Sequence, residues 1–511
     1  MWLVGHRGIF LLDQSILFDG AWRIVQGQVP YRDFVSAFPP VAVFILSLFF
    51  RVMGVDFSAM VLAAAILNAV AAGCVMWTVY RLLHWQSVAA AAGLVTAVWF
   101  QAPFGTLWFE QTAFFFDLLA LTVAVAAASR THAPTLRVTA GVLLGIAMLS
   151  KQNAGVEFVP IVLGVVAIPH ASSIRSAIAA VAQTAAGLAL AFLAFGAWLW
   201  WFSSPAGFWH DYIVLARQIG ADRIDVGKTA IGLVALTETW RLSILPLGVL
   251  LTALAVSYRE GIRVPRMGLI VWIAVTCLYF QNAFKLHTDN ELENCLPFLG
   301  LVYGLSVGLL YEVFWNRRAA SSNKVELSPG TAFFIWLGVV LFGGLLYGGV
   351  QISWLRTIQQ FVPNAHFEET LTVPGLTRVK WGEPTIIGQR SGARLDKRDF
   401  ERLNQWLQAS NTNFFVFPDS TMLYGLQGRV SPHPWLYFSP GHSFLRQDLP
   451  LVDATVVESL RRNNVRIIIL EKDSWLGNER LIKEMPKLRE WMENDFHRDA
   501  AFGIFEVWTL R

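Results

Sequence analysis

The chain has 511 residues, of which 55% are hydrophobic and only 15% charged, with a mean hydropathy of +0.48. A soluble domain carries roughly 25% charged residues, so the deficit sets aside a wholly water-soluble protein and points to lipid. The formal charge of +4 is small, and its distribution along the chain matters more than its sum. Aromatic residues make up 13% of the chain, with 21 Trp, and Trp collects at membrane–water boundaries. Cys74, Cys277 and Cys295 lie in or beside apolar runs without metal-ligand spacing and read as packing residues. The sequence has no dinucleotide fingerprint, no phosphate-binding Gly-rich loop ending in Lys-Ser/Thr and no nucleic-acid signature.

In chain order, residues 1–12 give only two or three helical turns, too short to span. With no charged n-region or long apolar core they are no cleavable signal peptide, and the first helix is expected to begin upstream. A polar stretch at 13–37 follows, in which residues 15–26 are predicted to form an amphipathic helix lying in the membrane interface. Gly27 and Pro30 should break it, and Pro39-Pro40 should start the next helix.

A spanning helix needs about 20 mostly apolar residues. Candidates lie at 38–54, 58–80, 87–103, 109–128, 138–150, 154–169, 177–203, 242–257, 267–284, 294–315 and 331–356. Arg130 and Arg137, then Arg259, Arg263 and Arg266, then Arg317, Arg318 and Lys324 mark the loops expected in the cytoplasm. Counting crossings from them puts 103–110, 204–240, 285–293 and everything after 357 outside. Three candidate helices separate loop 13–37 from loop 103–110, which would put those loops on opposite sides. If both are outside, one of the three must fail to cross.

After about residue 357 charges become frequent, and short strand-like runs appear at 414–417 and 466–470. Charged helical stretches are predicted at 396–409, 453–463 and 478–494. The expected fold class is therefore an all-α transmembrane bundle of about 11–12 hydrophobic helices, residues 1–356, followed by a small α/β extracytoplasmic domain, residues 357–511.

Four polar clusters interrupt the apolar chain. The first, in loop 13–37, holds Asp13, Asp19 and Asp33 together with Tyr31 and Arg32. A carboxylate at a membrane boundary is a candidate general base or cation ligand, and equally a helix cap facing water. The second is Phe109-Glu110-Gln111-Thr112, with Asp117 deeper in the same run; Glu110 could act chemically or simply favour a helix N-terminus. The third is Ser150-Lys151-Gln152-Asn153, where a cation could pair with phosphate oxygens or a carboxylate, or snorkel to the interface. The fourth, 285–294, contains His287, Asp289 and Glu291, whose spacing matches no strong metal pattern and suits a solvated loop. In the C-terminal region, Pro418-Asp419-Ser420-Thr421 and Gly428 to Pro432, with Pro440-Gly441-His442 beyond, form turn-rich loops after a strand. Such a loop is a ligand position in α/β layers, and turn chemistry accounts for it as well.

The stretch Asp13 to Pro40 resembles the first external loop of the superfamily C (GT-C) glycosyltransferases, in the branch of the protein O-mannosyltransferases and the lipid A aminoarabinose transferase. That loop has an acidic pair, a Gly-x-x-Pro-Tyr-x-Asp-Phe element and a Pro-Pro; here Gly27-Gln28-Val29-Pro30-Tyr31-Arg32-Asp33-Phe34 and Pro39-Pro40 match. Gly145 to Gln152 is similar to the family's helix end in Lys, and Glu110 falls where the family has a second external acidic residue. The resemblance covers about the first 310 residues.

It implies an inverting transfer from a polyprenyl-phosphate sugar to a glycan, lipid or protein acceptor at a membrane lipid surface, in a bacterial inner membrane, with no nucleic acid involved. By this resemblance Asp13 is the base that deprotonates an acceptor hydroxyl, Glu110 orients acceptor or sugar, and Lys151, with Arg32, meets the donor phosphate. Asp33, Tyr31, Gln152, His287 and Asp289 would line the substrate. No cofactor is implied, and a divalent metal is compatible without being indicated. The sequence departs from the pattern in having Asp13-Gln14 for the usual Asp-Glu, which leaves Asp19 as a second candidate base. A transporter or flippase, or a scaffold that kept the fold and lost the activity, are the competing classes. Transporters tend to show inverted repeats, and none is visible here. The C-terminal domain is expected to cover the membrane site and help select the acceptor.

Overall fold

The computed structural model describes residues 5–215 except 7, 10, 102–104 and 131–132, then 217, 265–284, 296–320, scattered positions between 333 and 347, and 367–511 except 383–384, 387–393 and 475–476. The candidate span at 242–257 and most of that at 331–356 lie outside these residues, as does the domain boundary near 357.

Each apolar run in the first 202 residues becomes a helix. They are α1 Asp13–Val25, α2 Val41–Met53, α3 Phe57–Leu83, α4 Gln86–Trp99, α5 Phe109–Ala128, α6 Pro134–Met148, α7 Val159–Ala167 and α8 Ile174–Phe202. Beyond the undescribed stretch come α9 Arg266–Phe284 and α10 Leu299–Ala320. Local chemistry sets their ends. The Asp56 side chain accepts from Ser58 N at 2.6 Å to cap α3, and Ser173 caps α8 in the same way. Among the described residues, Phe57–Leu83, Phe109–Ala128, Gln152–His170 and Ile174–Phe202 are long and apolar enough to cross a membrane. On α8, Ile178, Leu190, Leu193, Trp200 and Trp201 point outward, as a lipid-facing surface with an interfacial Trp pair requires.

The contacts of α2 bear on the crossing conflict. Its 13 residues give about 20 Å of helix, as short as the 14 residues of α4, so its end contacts and not its length set it apart. Both of its ends touch the C-terminal domain: Val35 N donates to the Pro434 carbonyl at 2.9 Å ahead of it, and Phe57 N donates to the Gly375 carbonyl at 2.8 Å after it. A helix with both ends against one domain returns to the face it left. Its outward Leu48, Val52 and Met53 suit a helix lying in the interface. If α3 and α4 both cross and α2 does not, loops 13–37 and 103–110 share a face.

The opposite face carries the turn after α5 and the start of α8, joined where Arg137 Nη2 and His170 Nε2 lie 2.8 Å apart. Helix α1 differs from the expectation of an amphipathic surface helix. Every residue from Gln14 to Ile24 is buried, because the C-terminal domain covers the side that would have met water.

That domain contains a four-stranded sheet in the order β5-β6-β8-β7, where β5 is Phe414–Phe417, β6 Ile467–Glu471, β7 Phe496–Phe502 and β8 Phe505–Leu510. Strands β5 and β6 are parallel and the other two pairings antiparallel. Helices α11 Lys397–Ser410, α12 Met422–Leu426, α13 Leu449–Arg462 and α14 Pro486–Asp495 complete it. Two short hairpins precede them, β1 Phe367–Thr370 with β2 Lys380–Gly382 and β3 Thr385–Ile386 with β4 Arg394–Leu395. Phe415, Phe417 and Ile468 pack with α13 and α14. Phe414, Val416, Ile467 and Ile469 face the other way, into a core continuous with α1 through Met422, Leu423 and Tyr424. Both faces are buried, which is why β5 and β6 read as unbroken apolar runs.

Helices α6 and α8 touch backbone to backbone. A Cβ on Gly141 would strike the Thr184 carbonyl, and one on Gly187 the Val138 carbonyl. Association in lipid rests on such close packing at small residues. Gly187→Val should force α8 away from α6 and destabilise the protein by about 1–3 kcal/mol, read as a lower thermal midpoint in detergent. Gly164→Val, where a Cβ meets nothing within 4 Å, should leave the midpoint unchanged.

Candidate active site

The loop after α1 is shaped by two left-handed residues, Gly27 at φ 84° and Tyr31 at φ 68°. Glycine takes the first at no cost; at Tyr31 the strain is held by surrounding contacts. Tyr31 N donates to the Phe34 carbonyl at 2.9 Å, and its hydroxyl donates to the Phe38 carbonyl at 3.1 Å. The ring stands edge-on to Phe208 at 5.2 Å, and Gly207 has no room for a side chain against the Tyr31 carbonyl. Ser36 N donates to Asp211 Oδ2 at 3.1 Å. The segment after α8 therefore fixes the loop from both ends and sets Phe38 in place.

Phe38 stacks on Phe109 with ring centroids 4.6 Å apart. Lys151 Nζ lies 4.6 Å from the Phe38 centroid and 2.9 Å from Glu110 Oε1. Both charged side chains are mostly shielded, at 16% and 19% exposure. Lys151 ends an extended step between α6 and the short turn Gln152–Gly155, while Glu110 opens α5. Two residues separated by 41 positions are thus one ion pair over an aromatic floor. Gln152 follows Lys151, and its Oε1 has no hydrogen-bond partner among the described residues. Asp13 begins α1, and its neighbour Gln14 donates to Thr106 Oγ1 at 3.5 Å, in the loop that leads to Glu110.

Other sequence candidates sit elsewhere. Arg32 is half exposed, pairs with Asp33 at 2.7 Å and donates to the Phe202 carbonyl at 3.1 Å, which places it on the rim beside the end of α8. The Arg32 hydrogen bond holds the Asp33 carboxyl below its ordinary range, and Asp33 also accepts from Val29 N at 2.8 Å. Asp19 is fully buried and accepts from Arg23 Nε at 2.9 Å. Arg23 donates onward to the His433 carbonyl at 2.7 Å and the Trp435 carbonyl at 3.0 Å. Burial raises the Asp19 carboxyl to about 6 despite the nearby guanidinium. The pair is a clamp between α1 and the C-terminal domain, closed to solvent. His287 and Asp289 lie outside the described residues. No three of the described His, Cys, Asp and Glu residues group to hold a metal ion.

Sequence reasoning missed Phe38 and Asp211. Phe38 is signalled only by its place before Pro39-Pro40, and Asp211 by nothing local.

Comparison with known proteins bears on this arrangement. Residues 37–201, which include Phe38, Glu110 and Lys151, match the family model described as dolichyl-phosphate-mannose-protein mannosyltransferase. The whole chain is similar in structure to ArnT from Cupriavidus metallidurans bound to undecaprenyl phosphate, at TM-score 0.52 and 12% identity over 99% of this chain and 95% of that chain. The chain shares the fold of that ArnT. The same ArnT in its apo state gives TM-score 0.50 and 13% identity over 99% and 95% of the two chains. No curated protein matches the sequence. The family match from residue 37 takes in the ion pair but not Asp13, Asp19 or Arg32.

Removing one partner of a buried ion pair costs about 3–5 kcal/mol. Arg23→Met should therefore loosen the seam, with faster hydrogen exchange across 431–438 and little change in the helices remote from it. Unchanged exchange in that segment would show that the clamp does not hold the domain.

Proposed function

We propose that this protein is an integral membrane glycosyltransferase that moves a sugar from a polyprenyl-phosphate carrier to an acceptor hydroxyl. The carrying observation is the Lys151–Glu110 ion pair on Phe38, held by the loop that begins with α1. The fold and the mannosyltransferase family match support the class, and the undecaprenyl phosphate bound to ArnT suggests the kind of carrier. Placement of the site on the extracytoplasmic face is supported by Arg130 and Arg137 at the opposite end of the bundle. A bacterial inner membrane is the setting this reading favours.

The donor presents C1 of its sugar bonded to a phosphate oxygen. Asp13 takes the proton of the acceptor hydroxyl as its oxygen attacks C1 from the face opposite the phosphate. The new C–O bond forms as the old one breaks, the configuration inverts, and polyprenyl phosphate leaves with the electron pair. A single base suffices because no covalent sugar–enzyme intermediate forms. Asp13 is preferred to Asp19 because Asp19 is enclosed by Arg23 and the domain seam. Lys151 stabilises the charge that develops on the leaving phosphate. Before the donor binds, Glu110 holds the ammonium in position; with donor bound, the phosphate competes for it and Glu110 is released toward a sugar hydroxyl. Phe38 supplies a flat apolar face, and Arg32 waits on the rim where a headgroup enters. The acceptor is a glycan, lipid or protein that carries a hydroxyl.

The test is sugar transfer by purified full-length protein given a panel of polyprenyl-phosphate sugars. Lys151→Met should lower kcat by about 100–1,000-fold, the loss seen when one charge-stabilising donor is removed. Asp13→Asn should cost about 100–10,000-fold, the range for a general base. Wild-type protein that turns over no donor would favour a scaffold or a transporter.

A further inference from the structure

The seam between α1 and the C-terminal domain encloses a carboxylate with few partners for its charge. Asp19 is fully buried and accepts one hydrogen bond, from Arg23 Nε to Oδ2 at 2.9 Å. Its Oδ1 has no hydrogen-bond partner among the described residues. An ionised carboxylate offers about four acceptor sites, and enclosing the charge with most of them empty is costly. One turn earlier on the same face of α1, Ser15 Oγ is also fully buried and without a partner among the described residues. A protonated Oδ1 is a donor, and the Ser15 hydroxyl is an acceptor within one turn of it. The closed seam therefore suits the neutral acid better than the anion.

The groups around it leave Asp19 to set the charge of the seam. From its own helix comes Arg23, a permanent cation whose Nη1 and Nη2 are taken by the His433 and Trp435 carbonyls. From α12 comes Tyr424, whose hydroxyl accepts from Val416 N at 3.0 Å and lies 3.2 Å from His433 Nε2. Burial, and then the charge of Arg23, hold His433 well below its ordinary range, and burial raises Tyr424 above its own. Neither changes charge near neutrality. From α2 come apolar side chains, Val43 against Gly20 and Phe50 against Phe18. Burial lifts Asp19 itself to about 6 in spite of Arg23.

We propose that Asp19 is a proton-operated latch of the domain seam, which takes up a proton as the domain closes on α1 and releases it to water as the domain lifts. When the seam opens, water supplies the missing hydrogen bonds and the carboxyl returns to its ordinary acidity. The closed state thus holds more protons than the open one. Closure is favoured most in acid, and that advantage is lost as pH rises through about 6. A seam held only by the attraction of the ion pair would behave in the opposite way and tighten as the carboxyl ionises. Phe34, 5.6 Å from the Arg23 guanidinium, passes the change to the loop that leads to Phe38. The latch stands whatever reaction the site performs.

The test is hydrogen exchange across 431–438 in full-length protein in lipid nanodiscs at about pH 5 to pH 8, each rate divided by the intrinsic rate of the same amide at that pH. In wild type the protection should fall about tenfold over this interval, with a midpoint near 6. Asp19→Asn keeps an acceptor for Arg23 and a donor toward Ser15, and it should hold the protection seen in acid at every pH. Wild-type protection that is flat or rises with pH, or a fall of equal size in Asp19→Asn, would overturn the latch. Should Asp19→Asn fail to fold, Ser15→Ala decides, since it leaves the Asp19–Arg23 pair in place. Loss of the hydroxyl should move the midpoint about half a pH unit lower, and an unmoved midpoint would sink the proposal.

Discussion

The seam between the membrane helices and the C-terminal domain turns on one guanidinium. Arg23 is 1% exposed, takes Asp19 as its counter-charge, and spends two further N–H groups on the carbonyls of His433 and Trp435. A charge so deeply enclosed is tolerable only when its donors are satisfied, so the domain cannot lift away without stranding it. Its position fixes the rest. Trp22 Nε1 donates to the Arg429 carbonyl at 2.7 Å one position before the clamp, and Phe34 lies under the guanidinium at 5.6 Å. The same contact that seats the domain therefore also holds the loop that leads to Phe38.

From that loop the geometry runs to the ion pair. Tyr31 in its left-handed conformation is stabilised by the packing of Phe208 and by its bond to the Phe38 carbonyl. Phe38 in turn bears on Phe109 and Lys151. A cation held between a carboxylate and an aromatic face is positioned without being neutralised for good, and on the proposed reading an incoming phosphate would offer it more acceptor oxygens than Glu110 does. A lysine suits this better than an arginine would. Its compact ammonium can change partners, whereas a bidentate fork would be locked to the carboxylate.

Much of this was legible in the sequence, and the failures have physical causes. Helix-length apolar runs fixed α3, α5 and α8 to within a few residues, because a hydrophobic run in lipid has few alternatives to a helix. Lys151 and Glu110 were each visible as polar residues at the ends of apolar helices, but their pairing was not, since no local rule links positions 41 residues apart. Helix α2 reads as a short span because hydropathy cannot tell a helix crossing lipid from one lying in its surface; only contacts at both ends decide. Asp19 looked like a second base because spacing carries no information about burial. The hairpin of β7 and β8 was missed: its alternation is broken by the run Ala500-Ala501, and a register shift between Arg498 and Ala500 marks the irregularity.

The burial of α1 also explains why a soluble domain of this kind should be attached to such a helix bundle at all. An isolated α1 would expose Phe18, Trp22 and the Asp19–Arg23 pair on the side now covered by Met422, Leu423, Tyr424 and Leu436. Those residues belong to α12 and the loop after it, which follow the C-terminal end of β5, the edge where α/β layers bind ligands. The surface that stabilises the first helix is thus continuous with the edge that carries Asp419 and Glu471. A sheet docked through its ligand edge cannot be indifferent to what the helix beneath it does.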